Sequence, residues 1–179
     1  MSTPPRLKVV NLWAGPGAGK STTAAELFAK MKHAGYRVEL VTEEAKDLTY
    51  DGDTRRLENQ LLLLGRQYDR LDRIAGQVEW AITDSPLPLV VAYLNPRWRT
   101  PSFVALASEA FGHFDNHDFV IRRVKTYQPY GRRESEDEAR ELDHRISVVA
   151  RDFVGPGIRE VTGDATAADT ILRQLKGAV

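Results

Sequence analysis

Short runs of hydrophobic residues along the chain alternate with longer stretches in which hydrophobic positions recur every three or four residues. The short runs predict five β-strands, at residues 8–13, 38–42, 78–83, 119–124 and 158–161. The longer stretches predict helices, which would carry the chain from the end of one strand back to the start of the next. Because such crossovers join parallel strands, the pattern predicts an α/β fold in which helices cover both faces of a parallel sheet.

Helical spacing is clearest directly after a glycine-rich turn. There, Ala24, Leu27, Phe28 and Met31 fall on one face of a helix that ends at Gly35. Further helical stretches are predicted at residues 55–76, 87–94, 102–114 and 134–153, and a last helix follows Gly163 and Asp164.

The glycine-rich turn itself is the strongest chemical signal, since it lies between the first predicted strand and the first predicted helix. It consists of Gly15, Pro16, Gly17, Ala18, Gly19, Lys20, Ser21 and Thr22. Its small residues let backbone N–H groups converge on a polyanion at a helix N-terminus. Lys20 would neutralise the β and γ phosphates, and Ser21 would offer a hydroxyl ligand to magnesium. Ala14 replaces the usual opening glycine, but the tight curvature lies further on. The turn therefore predicts binding of ATP with Mg²⁺.

Three features favour a kinase over a hydrolytic ATPase or a GTPase. The third strand ends in Asp84-Ser85-Pro86, without the glutamate that activates water in hydrolytic ATPases, and no Asn-Lys-x-Asp string for guanine recognition is present. A chain of 179 residues also leaves little room for a helical lid domain. The basic segment at residues 125–133 predicts a small lid, spanning about 125–135, in which Arg132 would act on the transferring phosphate and Arg133 would bind ATP.

Acidic residues follow the second and third predicted strands, where ligands bind in open α/β sheets. Asp84 is our first choice for the general base that accepts the hydroxyl proton of the acceptor, and it is also a magnesium ligand candidate. Alternatively, Glu43 is the base and Asp84 serves the metal. Glu44 is a further substrate contact or a solvated loop acid, and Asp84 has the alternative role of a helix cap beside Pro86.

Several residues are candidates for binding the acceptor. Gln60 and Gln67 lie two helical turns apart, where their amides would read the edge of a pyrimidine or simply form a polar surface. Arg97 and Trp98 combine a phosphate contact with a stacking surface, unless Trp98 packs into the core. Arg123 would clamp a phosphate or pair with an acid.

The composition excludes several kinds of site but does not indicate a function. The 25 basic and 25 acidic residues cancel, so no overall charge draws the protein to nucleic acid or membrane. The absence of cysteine excludes disulfides, thiolate zinc sites and cysteine nucleophiles. The longest hydrophobic run, at residues 87–94, is too short to span a bilayer. We expect one cytoplasmic domain over residues 1–179.

The chain resembles the nucleoside and nucleotide kinase group of P-loop proteins. More narrowly, bacteriophage P-loop kinases that include the 5-hydroxymethyluracil DNA kinases are similar to four strings, NLWAGPGAGKSTTAAELF, VELVTEEAKDLT, LENQLLLLGRQ and ITDSPLPL. The resemblance implies the sheet order 2-3-1-4-5 and a turn at Gly163 and Asp164 beside the adenine. It also implies phosphorylation of the hydroxymethyl group of 5-hydroxymethyluracil in phage DNA, within the host cytoplasm.

Two other functions remain open at this point. The acceptor would otherwise be a free nucleoside, a nucleotide or a small molecule similar to nicotinamide riboside. The chain would alternatively be a nucleotide-dependent binding module or an ATPase without acceptor chemistry.

Overall fold

The computed structural model describes residues 5–124 and 136–177. Five parallel strands form one sheet in the order β2-β3-β1-β4-β5. The predicted α/β class and the sheet order 2-3-1-4-5 are thereby confirmed. The strands are β1 (Lys8–Trp13), β2 (Val38–Val41), β3 (Trp80–Thr83), β4 (Asp115–Arg122) and β5 (Arg159–Thr162).

Helices pack on both faces of this sheet. The α-helices are α1 (Lys20–His33), α2 (Glu44–Tyr50), α3 (Thr54–Leu57), α4 (Gln60–Asp72), α5 (Pro101–Gly112), α6 (Glu136–Val154) and α7 (Ala167–Lys176). Short 3₁₀ helices occupy Leu87–Tyr93, Pro96–Trp98 and Gly155–Gly157. In the described parts of the chain, no helix combines the length and the apolar character needed to cross a membrane.

Two hydrophobic clusters meet at the central strand β1. Val9 and Trp13 belong to the cluster that α4, α5 and α6 cover, whereas Val10 and Leu12 belong to the cluster under α1 and α7. All four side chains are fully buried. A parallel strand that is covered on both faces is hydrophobic on both, which explains the continuous apolar run of β1.

The prediction of a single helix at residues 55–76 is wrong, because the helix is interrupted between α3 and α4. The side-chain oxygen of Asn59 accepts a hydrogen bond from the Leu62 N–H at 3.1 Å and so starts α4 afresh. Asp53 caps α3 in the same way, through the Arg56 N–H at 3.0 Å. The stretch predicted at residues 87–94 is helical, but it forms a 3₁₀ helix that starts after Pro86.

Strand β4 begins four residues earlier than predicted, at Asp115, because its first half is polar. Asn11 of β1 donates to the Asn116 side chain at 2.9 Å, and the indole N–H of Trp13 donates to the Asp118 carboxylate at 2.7 Å. Burial raises the pKa of Asp118 to about 6, although the hydrogen bond from Trp13 acts in the opposite direction. Polar pairs therefore connect the first half of β4 to β1, and the hydrophobic pattern of the sequence does not indicate them.

Candidate active site

The glycine-rich turn at residues 15–22, called the phosphate-binding turn from here on, runs from the end of β1 into the start of α1. Gly17 and Gly19 adopt φ angles of 84° and 103°, a left-handed conformation that residues with a side chain rarely adopt. The Lys20 ammonium donates to the Ala14 carbonyl at 2.7 Å and to the Gly15 carbonyl at 3.1 Å. The predicted turn residues therefore form a compact turn that holds the Lys20 ammonium group, an arrangement that suits a polyanion.

Ser21 and Asp84 lie together because β3 neighbours β1 in the sheet. The Ser21 hydroxyl donates to one Asp84 carboxylate oxygen at 2.5 Å. The other oxygen, Oδ1, is buried and has no hydrogen-bond partner among the described residues. A hydroxyl and a carboxylate oxygen without a partner suit the preference of Mg²⁺ for oxygen ligands. These two residues fit a magnesium ion, which would neutralise charge on the phosphates.

A cavity of about 790 Å³ extends from the phosphate-binding turn to the space between α2–α4 and the 3₁₀ helix Leu87–Tyr93. Besides residues of the turn, four of the candidates from the sequence line it, namely Glu43, Glu44, Gln60 and Gln67. Its apolar wall includes Leu57, Leu63, Leu87, Leu89 and Val90. The cavity therefore joins the phosphate-binding turn to a partly apolar chamber.

Glu44 is the buried member of an ion cluster at the end of β2. Its carboxylate accepts hydrogen bonds from Arg66 and Arg70, and Arg70 also contacts Asp47 at 2.8 Å. Burial raises the pKa of Glu44, but the hydrogen bonds from the two arginines outweigh it and hold the pKa below the usual value. Glu44 is therefore charged and paired, in contrast to the solvated loop acid considered above. Glu43 precedes α2 as its N-cap residue.

Gln67 connects the ends of β2 and β3. Its amide nitrogen donates to the Thr42 carbonyl at 3.4 Å and to the Thr83 hydroxyl at 3.2 Å, and its oxygen accepts from the Glu44 N–H at 3.3 Å. Base recognition by Gln67 would require these hydrogen bonds to be exchanged. Gln60 lies at the start of α4, where its amide nitrogen donates to the Leu57 carbonyl at 3.1 Å.

Arg97 and Trp98 lie outside the cavity, on the 3₁₀ helix that follows the lining residue Asn95. Trp98 is 43% exposed, and the Arg97 guanidinium stands over its ring at 5.6 Å from the centroid. The side chain contacts Phe103 at its edge, with ring centroids 6.3 Å apart. Trp98 is therefore a surface residue and does not pack into the core.

The turn after β5 packs against the phosphate-binding turn. A Cβ atom at Gly163 would lie 2.6 Å from the Ala18 carbonyl oxygen, so only glycine fits there. The Asp164 carboxylate accepts hydrogen bonds from the Thr166 N–H at 2.7 Å and from its hydroxyl at 2.6 Å. The predicted position of this turn beside adenine stays a prediction, and the predicted lid with Arg132 and Arg133 lies outside the described residues.

Asp143 is a site residue that the sequence interpretation missed. Its carboxylate accepts a hydrogen bond from the Gly15 N–H at 2.7 Å, although 128 positions separate the two residues. Arg123 pairs with Asp143 at 2.7 Å and donates to the Pro16 carbonyl at 2.6 Å, so it contacts both an acid and the turn. The sequence feature that could have identified Asp143 is its position on the apolar face of an amphipathic helix, where an acid is unusual. Ala139 and Ile146 on the same face are buried.

Solved kinase structures share this fold. Thymidylate kinase from Ehrlichia chaffeensis has 15% identity and a TM-score of 0.56, with 98% of each chain covered. APS kinase from Mycobacterium tuberculosis in complex with AMPPNP and APS has 14% identity and a TM-score of 0.55, with 97% of this chain and 98% of that chain covered. A mutant of the APS kinase gives 14% identity and a TM-score of 0.50, with 97% of each chain covered. At these identities the likeness shows the fold alone.

Comparison at the level of sequence gives a family assignment. No curated protein matches the chain significantly. A family model described as "AAA domain" matches residues 9–164, from β1 to the turn that follows β5. The match includes the phosphate-binding turn and the Ser21–Asp84 pair. Because it covers most of the sequence, the chain belongs to the AAA domain family.

Proposed function

We propose that the protein is an ATP-dependent phosphotransferase that moves the γ-phosphate of ATP to a hydroxyl group of an acceptor. The observation that carries this proposal is the cavity of about 790 Å³ that begins at the phosphate-binding turn. An enzyme that only hydrolyses ATP needs space for a water molecule beside the γ-phosphate. This cavity has room for an organic acceptor, and its apolar wall suits a ring.

In this proposal the residues of the turn bind the triphosphate, and Lys20 neutralises its charge. Ser21 and Asp84 hold magnesium. With Asp84 on the metal, Glu43 accepts the proton of the acceptor hydroxyl, because it lines the cavity and follows a strand that ends at the same edge of the sheet. Further contacts to ATP come from Arg132, Arg133, Gly163 and Asp164, with Arg132 acting on the transferring phosphate.

The charge of the cavity supports an uncharged acceptor. Among the described residues that line it, the acids are Glu43, Glu44 and Glu58, whereas the cations are Lys20 and Lys46. Lys20 belongs to the ATP side and Glu44 is paired with Arg66 and Arg70, which leaves Glu43 and Glu58 against Lys46 where the acceptor would bind. A nucleoside monophosphate would meet repulsion there, because its phosphate needs basic partners. A neutral alcohol would not be repelled by these acids.

Among neutral alcohols, we propose the hydroxymethyl group of 5-hydroxymethyluracil in DNA. The resemblance to phage kinases points to this acceptor, and the exposed pair Arg97 and Trp98 supports it. These residues follow Asn95 at the cavity wall, where a guanidinium and an indole ring suit a phosphate and a neighbouring base. The target base would leave the stack and enter the cavity while its strand crosses this surface.

A free nucleoside is the second candidate acceptor. The observation that favours it is the position of the cavity between α2–α4 on one side and the 3₁₀ helix Leu87–Tyr93 on the other. Walls on two sides suit a small molecule that is bound whole.

The deciding experiment measures phosphate transfer from γ-labelled ATP with Mg²⁺. The acceptors are DNA that contains 5-hydroxymethyluracil, the same DNA with thymine as the matched control, free nucleosides and nucleoside monophosphates. We expect label on the hydroxymethylated DNA and none on the thymine control. Label on nucleosides alone would show that the acceptor is a free nucleoside. ATP hydrolysis without label on any acceptor would overturn phosphotransfer and favour an ATPase.

A further inference from the structure

Asp143 and Arg123 attach the first half of the phosphate-binding turn to two other elements. Asp143 of α6 uses one carboxylate oxygen to accept the Gly15 N–H and the other to accept the Arg123 Nε–H, both at 2.7 Å. Arg123, just after β4, donates through Nη2 to the Pro16 carbonyl at 2.6 Å. The three contacts form a closed ring that includes two consecutive residues of the turn.

Helix α6 lies directly against the turn at this point. A Cβ atom at Gly15 would lie 2.4 Å from the Asp143 carboxylate and 3.2 Å from the Ala139 carbonyl oxygen. Gly15 is therefore required for close approach of the helix and for its own hydrogen bond. Its N–H group is committed to Asp143, so the phosphates must be bound by N–H groups further along the turn.

The turn must also keep its carbonyl groups away from a polyanion. Lys20 holds the Ala14 and Gly15 carbonyls, and Arg123 holds the Pro16 carbonyl. When triphosphate is bound, Lys20 contacts the phosphates and gives up part of its hold on the two carbonyls. Arg123 and Asp143 are then the side chains that maintain the shape of the first half of the turn.

We infer that Asp143 and Arg123 are positioning residues for nucleotide binding. The inference rests on the proposed binding of ATP, and it adds two residues that contact the backbone of the turn. The pair is shielded from solvent, with side-chain exposures of 26% for Asp143 and 10% for Arg123. Burying an ion pair contributes little stability compared with apolar residues of similar size. A role in fixing backbone geometry accounts for its presence here.

The test is the affinity of the whole protein for ATP, measured by calorimetry, together with the melting temperature of each variant. Asp143→Ala and Arg123→Met should each weaken ATP binding by about tenfold or more, and the double variant should be no weaker than the weaker single variant. The KM of the acceptor should stay unchanged. Glu141→Gln, an exposed acid on the same helix, is the matched control and should bind ATP normally.

Two further variants keep the test decisive if Asp143→Ala does not fold. Asp143→Asn retains an oxygen for the Gly15 N–H but loses the ion pair, and Arg123→Lys retains charge but loses the fork of donors. Each should weaken ATP binding at least threefold. Affinity within twofold of the wild type, together with a lower melting temperature, would overturn the inference and leave a purely structural pair. Failure of the wild type to bind ATP would instead overturn the proposed function.

Discussion

The ammonium group of Lys20 contacts two backbone carbonyls, those of Ala14 and Gly15, and these partners are uncharged. No hydrogen bond to a carboxylate competes with the phosphates for this cation among the contacts that the structure records. Lys20 is therefore held in position but can turn to a more negative partner when ATP binds.

Replacing Lys20 by alanine should abolish turnover and leave the fold intact. The side chain is expected to act on phosphates, so its loss should lower kcat by a factor of about 10² or more. The melting temperature should change by only about 2 °C or less, as for substitutions away from the core. Lys32→Ala, on the exposed end of the same helix, is the control. Normal phosphate transfer by Lys20→Ala would contradict the assignment of the centre.

Asp118 should make stability depend on pH, because burial raises its pKa from 3.8 to about 6. The folded state then binds more protons than the unfolded state between those values, so this contribution to the free energy of unfolding falls as pH rises from about 4 to 6. The loss amounts to about 3 kcal/mol, since one pKa unit corresponds to about 1.4 kcal/mol.

Urea unfolding of Asp118→Asn at several pH values tests this expectation. The variant retains an oxygen for the Trp13 N–H but does not titrate, so its stability relative to the wild type should increase between pH 4 and pH 7. Ser102→Ala, which removes an exposed hydroxyl group and no titratable group, should give a constant difference from the wild type. A constant difference for Asp118→Asn would show that the carboxyl group does not titrate in this range.

At the scale of elements, the sequence predicts the strand, turn and helix at the start of the fold most accurately. The run 8–13 matches β1, and the glycine positions locate the start of α1 at Lys20. Both signals are strong because β1 is buried on both faces and the turn needs left-handed glycines. Ser21 could be assigned to the site for the same reason, and Asp84 because it follows a strand.

Other elements depend on contacts that are distant in sequence. The polar start of β4 belongs to the sheet, where Asn116 pairs with Asn11, and local hydrophobicity does not indicate such pairing. Asp143 reaches the turn only through the packing of α6. The helical spacing of Gln67 suggests a polar surface position, but the residue is buried and forms three hydrogen bonds at the ends of β2 and β3. The break before α4 depends on the capping bond of Asn59, which competes with a continuous helix.

The turn after β5 provides a prediction at this scale. In Gly163→Ala the new methyl group would lie 2.6 Å from the Ala18 carbonyl and 2.9 Å from the Arg122 carbonyl, so the backbone must move. We expect destabilisation of about 1–3 kcal/mol, as for other overpacked sites, and weaker ATP binding. Gly157→Ala is the matched control, because no atom lies within 4 Å of its new methyl group. Equal behaviour of the two variants in unfolding and calorimetry would contradict the close approach.

At the scale of the whole molecule, the sheet order places β1 between β3 and β4. The turn that leaves β1 therefore lies between Asp84, from the end of β3, and Arg123, from the end of β4. Residues distant in sequence meet at the carboxyl edge of one sheet, as ligand sites in open α/β sheets do. Binding at this edge should stabilise several elements together.

A thermal shift measures this effect. ATP with Mg²⁺ at about 100 times its Kd should stabilise the fold by about 2.7 kcal/mol, which corresponds to a rise of roughly 5–10 °C in Tm. Lys20→Ala should lose most of the rise, and Mg²⁺ without nucleotide serves as the control. An unchanged Tm in saturating nucleotide would argue against binding at this edge.

The 3₁₀ helix Leu87–Tyr93 has a consequence for how acceptor preference can change. Leu87, Leu89 and Val90 line the cavity and are also members of the hydrophobic core. A substitution that enlarges the cavity at these positions also removes buried hydrophobic contacts that support α4–α6. New acceptor specificities should therefore evolve more readily from stabilised variants, and a directed-evolution library at these positions should be built in such a background.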